Sequence, residues 1–142
     1  MEGLGRLFNL APKADGNWVR LDNSEGVTFL GYLASTGDVF TLQEAKDAAG
    51  TGAQNLVRLA KWWLSTGDGT DAWTAATQAA LATITTTAAA AQSAMACYVD
   101  GTWLSDTYKY VKLTSTGAAT VTAITHDLYH QRTPSNLPAL GV

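Results

Sequence analysis

Apolar and polar residues alternate with a period of two along much of this chain, and that period predicts strands. In "GVTFLGYLAS", Val27, Phe29, Gly31 and Leu33 alternate with Thr28, Leu30, Tyr32 and Ala34. Their β-branched and aromatic side chains suit a pleated surface. "STGD" reads as a turn, with Gly37 free to take positive φ. "VFTLQEA" is the expected return strand of a hairpin, with Phe40 and Leu42 on one face and Val39, Thr41 and Gln43 on the other. Later, "YKYVKLTST" sets Tyr108, Tyr110 and Lys112 opposite Lys109, Val111 and Leu113. "ATVTAITHDLYHQR" sets Val121, Ala123, Thr125 and Asp127 opposite Thr122, Ile124, His126 and Leu128. A second hairpin, Tyr108–Thr114 with Thr120–Leu128 around Gly117, is therefore expected.

The middle of the chain carries two conflicting periods. "KDAAGTGAQ" is a loop. In "NLVRLAKWWL", Leu56, Leu59, Ala60, Trp63 and Leu64 fit a helical face, whereas Val57, Leu59 and Trp63 fit a strand face. The neighbouring strands favour the second reading. In "AWTAATQAALATITTTAAAAQSAMACYV" alanine prefers helix, but the Thr-Ile-Thr-Thr-Thr run prefers strand. Short strands are expected over 72–78 and 81–86, with "AMACYVDG" as another. Strands separated by Gly/Asp/Ser turns predict an all-β domain, an antiparallel β-sandwich or jelly-roll-like barrel with extended N- and C-terminal arms. The expected division is an arm over 1–25, a sandwich over 26–131 and a tail over 132–142. Leu4, Leu7, Phe8 and Leu10 are too apolar for a free arm, so they are expected to pack on a neighbouring surface.

A chain of 142 residues suits one domain. Only 15% of it is charged, below the usual quarter, and 46% is hydrophobic. Such a neutral surface is easier to explain if other subunits cover much of it. The net charge of −3 argues against a phosphate backbone as the main partner, so no direct nucleic-acid contact is expected. The lone Cys97 sits in apolar "AMACYV" and is expected to pack as a small hydrophobe. No basic segment followed by an apolar run opens the sequence, so no signal peptide is expected. No uninterrupted apolar stretch reaches 18 residues, so no membrane span is expected either.

Candidate chemistry is sparse. His126, Asp127 and His130 could be metal ligands on a helix. On a strand the two imidazoles lie about 13 Å apart and Asp127 faces the other way, too far for one ion. A Ser–His–Asp set fails on the same alternation, and no "GxSxG" elbow is present. "GTGAQN" and "STGDGT" lack the Lys-Ser/Thr of a phosphate loop and read as turns. "KWWL", with Arg58 and Lys61, could stack sugars or bases, but core or interface packing is commoner for such tryptophans. Trp18, Trp73 and Trp103 sit beside turn signals and are candidates for covering sheet edges. No catalytic group, cofactor site or metal site is expected.

"GVTFLGYLASTGDVFTLQEAKDAAGTGAQNL" resembles the first half of small capsid accessory proteins of tailed bacteriophages, called minor capsid, decoration or cement proteins. In that family a "YVK(L)" strand, a turn and a strand ending "HDL-x-x-QR-x-P-x-NLP" recur together. Here they stand as "YKYVKL" and "VTAITHDLYHQRTPSNLPALG". The resemblance spans about residues 24 to 141, and residues 58–97 contribute little to it. It implies a β-sandwich seated on a shell of major capsid protein, with no reaction and no cofactor. The implied location is the virion, on the outer capsid surface, after synthesis in the bacterial host cytoplasm. Self-association as a dimer or trimer on the capsid is also expected. "QRTPSNLPALGV" then reads as a docking tail. Pro134 and Pro138 restrict it to extended forms, Leu137, Leu140 and Val142 fill shallow pockets, and Arg132 pairs with a carboxylate. A head–tail joining or tail protein, and a carbohydrate-binding module using Trp62, Trp63 or Trp103, are the alternatives.

Overall fold

The computed structural model describes residues 9–33 and 37–129. It is all-β, with two antiparallel sheets packed face to face. The strands are β1 (Leu10–Ala11), β2 (Val19–Arg20), β3 (Gly26–Tyr32), β4 (Val39–Ala45), β5 (Gln54–Asn55), β6 (Leu59–Ser65), β7 (Thr74–Leu81), β8 (Thr83–Thr85), β9 (Ala94–Asp100), β10 (Tyr110–Ser115) and β11 (Thr120–His126). A six-stranded sheet runs β1-β11-β3-β9-β6-β7. A five-stranded sheet runs β2-β10-β4-β5, with β8 also paired to β4. Among the described residues no helix is long and apolar enough to cross a membrane.

The alternation read from the sequence sets the faces. Val27 and Phe29 of β3, Met95, Cys97 and Val99 of β9, and Val121 and Ala123 of β11 point inward and are fully buried. Phe40 and Leu42 of β4, Val111 and Leu113 of β10 and Ile84 of β8 meet them from the other sheet. Gly31 lies in the same inward row. A Cβ there would stand 2.7 Å from the Phe40 ring, so the bare backbone is what lets Phe40 seat against β3.

Neither expected hairpin forms. β3 pairs with β9 and β11, whereas β4 pairs with β10, β5 and β8. Likewise β10 belongs to the five-stranded sheet and β11 to the six-stranded one. Each turn therefore carries the chain from one sheet to the other, and Asp38 ties the two crossings together. Its Oδ1 accepts from the backbone N–H of Val39, Thr116 and Gly117 and from the Thr116 hydroxyl, at 2.6 to 3.0 Å.

The expected arm over 1–25 also needs correction where it is described. Residues 9–21 run along the edges of both sheets. β1 pairs with β11, Ala14 donates to the Val121 carbonyl, Gly16 donates to the Leu113 carbonyl, and β2 pairs with β10. Ala14, Val19 and Leu21 belong to the core. In the middle, "NLVRLAKWWL" yields strand β6, but a register shift between Leu59 and Lys61 changes its phase. Leu59 and Trp62 are buried, and Trp63, expected beside Leu59, is only half-buried and turned to the other face. The strands expected over 72–78 and 81–86 are one longer strand, β7, and one short one, β8.

Candidate docking surface

The outer face of the six-stranded sheet follows from the same alternation, one residue out of phase with the core. Register aligns Leu10, Ile124, Thr28 and Tyr98 in one row across four strands. A second row holds Thr122, Leu30, Ala96, Trp63 and Ala75. Tyr32, opposite Thr120 and Ala94, is 51% exposed. These rows contain no Asp, Glu, Lys or Arg. Lys61 stands at their margin, with its Nζ 5.2 Å from the Trp63 ring centre. An outward sheet face in water normally carries polar side chains. This one carries aliphatic and aromatic groups interleaved with threonine.

His126 lies on this face. Its Nε2 is 2.7 Å from the Thr28 hydroxyl, and its ring tilts against Tyr98 at 5.9 Å between centroids. Gly26 permits that arrangement, since a Cβ there would stand 2.3 Å from the Tyr98 hydroxyl oxygen. Burial pushes the Tyr98 phenol above its ordinary value, helped by the negative charges of Asp100, Glu25 and Asp127. The Thr28–His126 contact brings a hydroxyl to an imidazole, but β3 is a central strand with both edges in ladders. Its backbone N–H groups are spent on pairing and leave none to hold a developing oxyanion. Asp127 takes φ +50° just past β11, and His130 lies outside the described residues. Among the described residues, no three His, Cys, Asp or Glu side chains cluster as a metal set.

Other polar groups serve the framework. Cys97 is fully buried and burial pushes its thiol up to about 12, so it packs as a hydrophobe. Glu44, 1% exposed, accepts from the Gln54 amide, the Ser105 hydroxyl and the Ser105 backbone N–H. It pins the loop before β10 to β4. The step of two from Phe40 and Leu42 is the sequence signal that Glu44 faces inward. Trp18 is half-buried, with the Lys112 Nζ 4.4 Å from its ring centre. Trp103 packs against the core, and Trp73 is 47% exposed.

Of the contact residues expected from the sequence, Leu10 is placed in β1 at the sheet edge and is 45% exposed. Leu4, Leu7, Phe8, Arg132, Pro134, Leu137, Pro138, Leu140 and Val142 lie outside the described residues. Asn9, at the start of the described chain, exchanges backbone and side-chain hydrogen bonds with Thr125 of β11. Tyr129, at its end, donates its N–H to the Asn23 carbonyl. No protein-family model, curated protein or solved structure matches this chain.

Proposed function

We propose that this protein is a structural component of a tailed-phage virion, docking on the major capsid protein shell and reinforcing it. The observation that carries the reading is the outer face of the six-stranded sheet. It is broad, free of carboxylates and basic groups in its central rows, and bordered at the β1 edge by Leu10, which is 45% exposed. Interface cores are depleted in charge and enriched in aromatic residues, as this face is with Tyr32, Trp63 and Tyr98. The chain's resemblance to capsid accessory proteins supports shell protein as the occupant. Pro134 and Pro138 in the tail lower the ordering entropy of an extended docked segment. A gel of purified particles tests the reading. The expected result is a band at this chain's mass in a stoichiometric ratio to the major capsid band. A ring-like copy number of a dozen or fewer points instead to the head–tail joining role. Absence from the particle overturns both.

A further inference from the structure

We infer that the outer face of the six-stranded sheet fits a partner protein surface whose apolar centre is bordered by lysine and arginine. The inference rests on the docking reading above and adds the charge of the partner. Carboxylates close the uncharged rows at both ends. At the end where β3 starts, Glu25, Asp100 and Asp127 surround Tyr98 closely enough for their charges to act on its phenol. Glu25 and Asp127 are exposed there. At the end where β3 finishes, the loop over 66–71 folds against Tyr32. A Cβ at Gly67 would stand 3.1 Å from the Tyr32 ring. This loop carries Asp68 and Asp71, both exposed. Donors from Thr66 and Thr70 hold Asp68 down to about 2, so it stays ionised. Within the described strands of this sheet Lys61 is the one cation, and Arg58 stands just before β6.

The basic side chains gather on the other sheet. Lys112 lies on the outer row of β10, beside Trp18, and Arg20 of β2 is paired with Asp22. Lys46 follows β4, with its Nζ 5.6 Å from the Tyr108 ring centre, and Lys109 donates its N–H to the Ala45 carbonyl. The molecule is thus charged unequally on its two faces. An uncharged centre with a charged rim is how protein interfaces are built, and the rim sets orientation and encounter rate. An acidic rim attracts lysine and arginine on the facing surface and repels a phosphate backbone. The occupant is therefore protein with a basic border.

Pelleting of the full chain with shells that lack it, over a salt series from about 0.05 to 0.5 M, tests the inference. Wild-type binding is expected to weaken as salt rises. Glu25→Gln with Asp127→Asn removes two exposed charges from the rim. It is expected to weaken binding at low salt by roughly threefold to tenfold and to flatten the salt dependence. Lys46→Gln, on the other sheet, is expected to bind as the wild type does. All three chains are expected to melt alike. Wild-type binding that ignores salt or strengthens with it, or a double variant that binds as well as the wild type, would overturn the inference and leave the docking reading standing. Shells that bind no wild-type chain at any salt would overturn both.

Discussion

One oxygen of Asp38 accepts four hydrogen bonds from three residues on two segments, while its other oxygen is buried without a partner among the described residues. Burial by itself would raise the pKa of this carboxyl. The donors from Thr116, Val39 and the neighbouring turn outweigh it and hold the group below its ordinary 3.8. A lowered folded pKa stabilises the protein above the unfolded value, and that stability drains away as pH falls through the folded one. The wild type is therefore expected to lose stability below about pH 3.8, where Asp38→Asn should show a shallower loss. At neutral pH, Asp38→Ala leaves the Thr116 hydroxyl and the Gly117 N–H without their acceptor and should cost about 1–3 kcal/mol. Urea unfolding at several pH values checks both. Gly31 carries a different constraint. Gly31→Val drives a side chain into the Phe40 ring, and overpacking of that kind costs about 1–3 kcal/mol. Thermal melts should show the drop, and an unchanged midpoint would mean that Phe40 seats elsewhere.

At the scale of the elements, the strands themselves were legible and their partners were not. The inward rows Val27–Phe29, Phe40–Leu42, Val111–Leu113 and Val121–Ala123 follow directly from alternation. Alternation sets which way a side chain points but not which sheet the next strand joins. That choice rests on Asp38 reaching Thr116 and Gly117 across 78 and 79 residues of sequence. The shift at Leu59–Lys61 hid the true face of Trp62, because one irregular step inverts the period downstream. β1 and β2, at two residues each, are too short to show any period at all. Leu10 stands out by its apolar setting and lies exposed in β1. The outer rows of the six-stranded sheet emerged only once register brought Leu30, Ala96 and Trp63 side by side. Cross-strand backbone contacts in an NMR spectrum check the topology. Leu113 should lie opposite Leu42, and Ala123 opposite Phe29. A Leu113–Val121 backbone pair would restore the hairpin.

The whole molecule presents two kinds of surface. The five-stranded sheet turns Thr41, Gln43 and Lys112 outward, as a solvated face does. The six-stranded sheet turns out Leu30, Tyr32, Trp63, Tyr98 and Ile124. The proposed shell contact uses this second face together with the C-terminal tail. Deleting residues 133–142 should spare the fold, since the inward rows of both sheets are supplied by residues 14–123, yet weaken attachment. Burying Leu137, Leu140 and Val142 on a neighbour contributes roughly 1.5–3 kcal/mol each before ordering costs. Circular dichroism of the truncated chain checks the first half of that statement.

Co-sedimentation with particles that lack this protein tests the docking claim most directly. Wild type, Leu30→Glu with Tyr32→Glu, and a control with Gln43→Glu on the opposite face are mixed with the shells and pelleted. The two outer-face carboxylates should weaken binding at least about tenfold, because a charge buried without a partner in an interface costs several kcal/mol. The control should bind as the wild type does. Equal binding by all three, or no binding by the wild type, would contradict the account.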